Sequence, residues 1–228
     1  MVNILIVNGS PRKNGNSFHM SEYVEKGIRT VQGTDVHVYE FAGKSFSGCS
    51  GTCSAYCSEH GMCAIKDDLA SFWEEYVWAD GIVWAVPVYH VGPPGQVKCA
   101  MDRLCNMQWG YFKGKYPRWN KAVGACVQGA TKWGGQELVI QWLAESALLM
   151  KCIPVAADPP KSYFGVAGDA GSWDKDGILE DSQALELAEN LGRRVAETAK
   201  IIQRGIQASP ELEMMYRPRE YVQNYKKE

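Results

Sequence analysis

The strongest constraint on this chain is its opening unit: Val2-Asn3-Ile4-Leu5-Ile6-Val7, then ten polar, glycine-bearing residues, then a helical pattern. A nearly continuous, β-branched apolar run is the mark of a strand buried on both faces, as in parallel sheets covered by helices. From Ser17 onward, Met20, Tyr23, Val24, Gly27, Ile28 and Val31 recur at helical spacing. The link is Asn8-Gly9-Ser10-Pro11-Arg12-Lys13-Asn14-Gly15-Asn16-Ser17. A loop between strand and helix gathers backbone N–H groups, and the helix start adds its dipole and unpaired donors, so the unit suits a phosphate. Gly9 and Gly15 permit backbone angles that other residues resist; Ser10, Asn16 and Ser17 are short donors, and Arg12 and Lys13 are cations. Neither a Walker P-loop nor a G-x-G-x-x-G fingerprint is present. An ordinary βα turn rich in turn residues is the competing explanation.

The same unit recurs along the chain. Residues 35–40 alternate as a half-buried strand, with His37 on its polar face. Residues 41–66 form a Gly/Ser/Cys-rich segment longer than an ordinary connection, and such loops usually carry function. A helix over 67–79, a buried strand over 81–86 and a helix over about 95–105 follow. Residues 106–119 read as an aromatic loop containing Trp109, Tyr111, Phe112, Tyr116 and Trp119. A strand over 121–127, a Gly-rich turn over 128–135, a helix over 136–150 and a short strand over 152–155 come next. Residues 157–179 form a long excursion, and 179–203 an amphipathic closing helix. Five strands alternating with five helices predict an α/β fold: a doubly wound, five-stranded parallel sheet with a cysteine-rich loop after the second strand. Residues 1–205 are read as one domain, and 206–228 as a tail assigned to oligomer contact. Ligands of such sheets lie beyond the carboxyl ends of the strands. The loops at 8–17, 87–94 and 128–135 should therefore meet at one edge, where they suit a flat phosphorylated ring, most simply FMN.

The 228 residues carry a net charge of −2, which gives no reason to propose nucleic acid or an anionic membrane as partner. Met1 leads directly into a strand, and no apolar run approaches a membrane span, so a cytoplasmic location is expected. Eight cysteines in that compartment point to metal, redox chemistry or burial rather than disulfides. Four of them, Cys49, Cys53, Cys57 and Cys63, fall within 15 residues. Four clustered thiolates form the ligand set of an iron–sulfur cluster or a structural zinc. The compact spacing favours the cluster, because zinc sites usually come as two knuckles a dozen residues apart. Were 49–57 helical, three thiols would lie along one face. His60 is a substitute for one ligand, and free or transiently oxidised thiols are the plain alternative. Cys99, Cys105, Cys126 and Cys152 are expected to be small core residues.

Taken together, these residues resemble the iron–sulfur flavoproteins within the NADPH-dependent FMN reductase group of flavodoxin-like proteins. The resemblance rests on residues 9–17, the Cys49–Cys63 run followed by Ile65-Lys66-Asp67-Asp68, Ala79-Asp80-Gly81, Pro87-Val88-Tyr89, and Lys98 with Asp102-Arg103. It covers roughly residues 1–155, and the family's motif more often has two residues between its first three cysteines, where this chain has three. It implies a flavodoxin-like fold, bound FMN, a [4Fe-4S] cluster on Cys49, Cys53, Cys57 and Cys63, and homodimers or homotetramers whose subunits exchange electrons. It also implies that Ser10, Arg12, Asn16, Ser17 and Phe18 hold the phosphate, while Pro87, Val88, Tyr89 and His90 flank the flavin ring. Asn14 and Gly129 complete the expected cofactor contacts.

The expected activity is an FMN-dependent oxidoreductase that passes electrons from NAD(P)H or ferredoxin to a small, aromatic or quinone-like substrate. His90 is a candidate proton donor, with a structural hydrogen bond as the alternative, and no other catalytic side chain stands out. Lys132 and Trp133 are candidates to neutralise or cover the ring. Trp109, Tyr111 and Trp119 are candidates to wall a substrate pocket or to pack at a subunit interface. Two other functions stay open: an electron relay without its own substrate, and a cluster-free reductase whose cysteines hold zinc or nothing.

Overall fold

The computed structural model describes residues 1–51, 54–111 and 119–209, without the side chains of Ser54, Ala55, Ser58 and Tyr111. The first unit folds as β1 (Val2–Asn8) and α1 (Asn16–Arg29), followed by β2 (Thr34–Glu40). Then come α2 (Ser54–His60), α3 (Leu69–Trp78), β3 (Gly81–Pro87), α4 (Gly95–Tyr111), β4 (Ala122–Gly129) and α5 (Gln136–Leu149). The chain closes through β5 (Ile153–Pro154), β6 (Val166–Asp169), a short 3₁₀ turn and α6 (Ser182–Ala208).

The strands pair in parallel in the order β2-β1-β3-β4-β5, with β6 also on β4. This is the flavodoxin-like order, with its switch point between β1 and β3. Successive residues of β1 face opposite layers. Leu5 and Val7 pack with α3, α4 and α5 on one side, and Ile4 and Ile6 with α1 and α6 on the other. Helices α1 and α6 meet backbone to backbone: a Cβ on Gly27 would lie 1.8 Å from the Glu189 carbonyl oxygen, and one on Gly192 2.1 Å from that of Val24.

The sheet departs from the expected five strands at its far edge. β5 is two residues long and pairs only with Ala122 and Val123, while β6 pairs with Cys126–Gly129, so two short strands share one strand position. Pro154 offers no N–H to extend β5, and the Val-Ala-Gly-Asp of β6 has weak strand propensity. The supposed excursion at 157–179 therefore returns to the sheet. A second difference is in α4, which continues through residues read as aromatic loop, so Trp109 is helical. Trp119 is buried 5.5 Å from the ring of Trp73, with the Lys121 ammonium 4.7 Å from its own ring centre, and it walls no pocket. The rest of the aromatic loop, 112–118, and the tail from 210 lie outside the described residues. Among the described residues no helix is long and apolar enough to cross a membrane.

Candidate functional site

The β1–α1 loop is built by close approach. The Gly9 N–H donates to the Ala85 carbonyl at 2.9 Å. A Cβ on Gly9 would lie 2.5 Å from Val86 Cγ1 and 2.7 Å from Val97 Cγ2, so only glycine lets the loop cross β3 and the first turn of α4. Asn8 is buried; its Oδ1 accepts from Ser10 N at 3.2 Å, while its Nδ2 has no hydrogen-bond partner among the described residues. A buried donor without a partner costs about 1–3 kcal/mol unless a ligand meets it. Ser10 Oγ accepts from Arg12 N at 3.1 Å, and Asn14 takes the left-handed conformation, φ 50°, that asparagine tolerates. Gly15, at the N-cap of α1, has no side chain to cap the helix, and the first N–H groups of a helix are the kind that bind an anion.

Two other strand-end loops join it. Val88 N donates to the Gln128 carbonyl at 2.8 Å, tying the end of β3 to β4. Tyr89 and Gly92 exchange backbone hydrogen bonds of 2.8 and 3.0 Å around His90 and Val91, whose φ angles are 48° and 65°. Positive φ at both central residues defines a type I′ turn, which normally takes Asn or Gly. Val91 is β-branched and stores about 1–3 kcal/mol of strain there. The turn abuts Gly135, where a Cβ would come within 2.9 Å of Val91 Cγ1.

The three loops enclose a cavity of about 60 Å³ lined by Ser10, Arg12, Asn16, Pro87, Val88, Tyr89 and Gly129, with Gly15, Gln128 and Ala130 between them. Asn14, Ser17, Phe18 and His90 belong to the same loops but do not line it. Ser17 is buried, its Oγ 3.4 Å from Gln128 Nε2, and His90 is exposed on the turn. Asn16 lines the cavity and its amide is also engaged elsewhere. Its Nδ2 donates to the Asp174 carbonyl at 2.8 Å and its Oδ1 accepts from Ile178 N at 3.0 Å, so its amide fastens the segment after β6 to α1. That segment adds Ser172, Trp173 and Lys175 to the cavity, residues with no local sequence signal for such a role. His19 Nε2 meets Asp176 Oδ1 at 2.9 Å in the same contact, and this hydrogen bond holds the Asp176 carboxyl below its ordinary range.

Beside this cavity lies an open basin of about 1070 Å³ between the β4–α5 loop, residues 161–165 and the segment after β6. Trp133 and Tyr163 line it at 91% and 79% exposure, with Phe164 also exposed, and Trp173 stands exposed at the edge of the smaller cavity.

The cysteine segment stands on α4. Cys57 is buried in α2, and a Cβ on Gly110 of α4 would lie 1.8 Å from its carbonyl oxygen. Cys49 is exposed in non-helical chain and Cys63 is half-buried, so the single helical face over 49–57 is not formed. Cys53 lies outside the described residues. Among the described residues no three His, Cys, Asp or Glu side chains gather as a metal site. His60 is exposed and stacks on Tyr56 at 4.0 Å. Cys126 and Cys152 are buried as expected, while Cys99 and Cys105 are half-buried against the core. Burial pushes both the Cys126 and Cys152 thiols up, Cys152 to about 11, so both are inert at neutral pH.

The base of the segment is closed by Asp67, Asp68 and Arg103. Asp67 Oδ2 accepts from Ser47 N at 2.8 Å, and Asp68 Oδ2 from Ser45 N at 2.8 Å. Asp67 Oδ1 also accepts from Leu69 N at 3.2 Å, so this acid both opens α3 and anchors the loop. Arg103, 1% exposed, forms a bidentate pair with Asp67 at 2.6 and 3.0 Å. Burial pushes the Asp67 carboxyl up, but the guanidinium and the Ser47 and Leu69 N–H groups outweigh it and hold it low.

Residues 2–159 match the family described as NADPH-dependent FMN reductase. An iron-sulfur flavoprotein of Methanocaldococcus jannaschii is 32% identical over 203 residues, which is 88% of this chain and 99% of that one. An iron-sulfur flavoprotein of Archaeoglobus fulgidus is 32% identical over 201 residues, 85% of this chain and 95% of that one. In structure, a flavodoxin described as WrbA-like from Agrobacterium tumefaciens superposes with a TM-score of 0.57 at 20% identity, covering 88% of this chain and 99% of that one.

Proposed function

Because the chain belongs to the NADPH-dependent FMN reductase family, and is accordingly a flavin-dependent oxidoreductase, we propose that it binds FMN at the three strand-end loops and a [4Fe-4S] cluster on Cys49, Cys53, Cys57 and Cys63. The observation that carries the flavin reading is the convergence of Ser10, Arg12, Tyr89 and Gly129 on one cavity, with the unpartnered Asn8 Nδ2 beneath the same loop. About 60 Å³ is room for a phosphate-sized group, well below a ligand cleft of roughly 300–1,000 Å³. The phosphate is therefore assigned to the cavity and the ring to the open ground between Tyr89 and Trp173.

In this reading Ser10, Arg12 and the first N–H groups of α1 bind the phosphate, and the rigid 87–92 turn sets the tilt of the ring. FMN supplies hydride and single-electron chemistry, which protein side chains lack. Trp173 and the aromatic basin beside it exclude water from one ring face and receive a small planar substrate. His90, exposed on the turn beside Tyr89, is the candidate proton donor. The donor is NAD(P)H or ferredoxin.

The cluster reading is supported by the two iron-sulfur flavoprotein relatives and by the donor chemistry here: four cysteines in 15 residues, one of whose sulfurs receives a guanidinium N–H. Homo-oligomers in which neighbouring subunits exchange electrons complete the proposal. Steady-state reduction of a quinone by NADPH and by reduced ferredoxin tests the enzyme reading. Turnover with wild-type chain that drops in Trp173→Ala, with FMN content kept, supports it. Electron passage with no small-molecule product formed by either donor shows a relay instead.

A further inference from the structure

We propose that Arg103 is a positioning residue for the cysteine centre: its buried guanidinium holds the Cys63 sulfur and thereby sets the reduction potential of the cluster. The inference rests on the reading that Cys63 is a cluster ligand. A guanidinium has five N–H donors in a fixed fork, and here every one is engaged. Nε donates to Cys63 Sγ at 3.2 Å. Nη1 donates to the Ser47 carbonyl at 3.1 Å and to Asp67 Oδ2 at 2.6 Å. Nη2 donates to the Ile65 carbonyl at 3.2 Å and to Asp67 Oδ1 at 3.0 Å.

All four acceptor residues lie between 47 and 67, bracketing the cysteine run. The side chain comes from α4, whose Val97, Ala100, Leu104 and Met107 already hold that helix in the core without it. A buried ion pair is on balance a poor source of stability, because desolvating both charges offsets their attraction. Neutralising Asp67 would require only two of the five donors. The other three fasten the two ends of the cysteine run, and one of them is aimed at sulfur.

A hydrogen bond to a ligating sulfur is one of the levers that set a cluster's potential. An N–H donated to sulfur favours the form with more negative charge, which is the reduced one. Because Asp67 already neutralises the guanidinium's net charge, the directed N–H bond carries the effect. Lysine keeps the charge and loses the fork, so Arg103→Lys separates the two.

The test is an EPR-monitored redox titration of anaerobically prepared wild type and Arg103→Lys, with the flavin potential read in the same samples. At a fixed applied potential, the reduced-to-oxidised cluster ratio is expected to fall about tenfold in the variant, equal to about 59 mV for one electron. The flavin potential is expected to stay in place. An iron-loaded variant with wild-type cluster potential overturns the inference and leaves the cluster reading intact; iron-free wild type overturns the cluster reading and the inference with it. Should the variant hold no iron, pulsed EPR of wild type labelled with ¹⁵N-arginine decides: a weak nitrogen coupling to the reduced cluster supports the proposal, and its absence overturns it.

Discussion

The flavin-side loops and the cysteine segment are both mounted on α4, yet they are held in different ways. At its first turn, Val97 closes over Gly9 of the β1–α1 loop; at its last, Gly110 lets α2 approach until only a hydrogen fits beside the Cys57 carbonyl. The thirteen-residue step from Val97 to Gly110 spans roughly 20 Å of helix. The loop at Gly9 hangs from β1, buried at all but Asn3, from the fully buried β3, and from the Gly9–Ala85 backbone hydrogen bond. Among the described residues the cysteine segment has no strand of its own, and it is anchored by Arg103, Asp67 and Asp68. One site is fixed by the sheet, the other by a few long-range side chains, so substitutions should separate them cleanly.

The largest effect is expected from Gly110→Ala. Its Cβ would fall on the backbone of Cys57, which cannot swing aside, at an overpacking cost of about 1–3 kcal/mol or more. Iron content should drop to near zero while FMN content stays at the wild-type level; loss of both together would show that the two sites are not separately held. The mirror experiment is Gly9→Ala, which crowds Val86 and Val97. FMN affinity, measured by fluorescence titration of apoprotein, should fall about tenfold, which corresponds to about 1.4 kcal/mol, with iron retained. Unchanged FMN affinity would place the phosphate elsewhere.

Acid should separate the regions as well. Asp67 titrates below its ordinary range, so its pairing stabilises the cysteine segment fully above the unfolded carboxylate value of about 3.9 and loses that stabilisation as pH falls through the lowered folded value. Hydrogen-exchange protection factors of residues 45–51 and 63–68 should therefore be flat from pH 7 to 5 and fall below about pH 4, ahead of α1. A fall already between pH 7 and 5 would mean that the Arg103–Asp67 pair does not hold the segment. The smallest effect is expected at the turn: Val91→Gly should raise stability to urea by about 1 kcal/mol through relief of the positive-φ strain, with FMN bound a few-fold more weakly. No gain in stability would mean that Val91 is not strained.

This contrast also explains what could be read from the sequence. The β1–α1 unit was legible because its signals are local: a buried strand, two glycines and a helical period within about thirty residues. The switch-point geometry then placed the 87–94 and 128–135 loops beside it without further information. Three features were not legible. Arg103 and Asp67 are 36 residues apart, and nothing in either neighbourhood marks them as partners. Asn16 reads as a phosphate donor in its loop, but its amide is taken by residues 158 and 162 positions away. β6 is four residues of weak propensity that become a strand only because β4 outlasts β5 and leaves an edge to fill. The placing of Trp119 fails for a related reason: an aromatic among Gly, Lys and Pro looks exposed until the core formed by Trp73 and Tyr76 is present to receive it.

The central claim is that one helix carries a flavin site and a cluster site on the same chain. Anaerobic purification followed by an absorption spectrum with flavin, iron and sulfide analysis tests it most directly. The account predicts flavin bands over a broad iron–sulfur shoulder, with about one FMN and about four irons per chain. An iron-free yellow protein, prepared without exposure to oxygen, would contradict it.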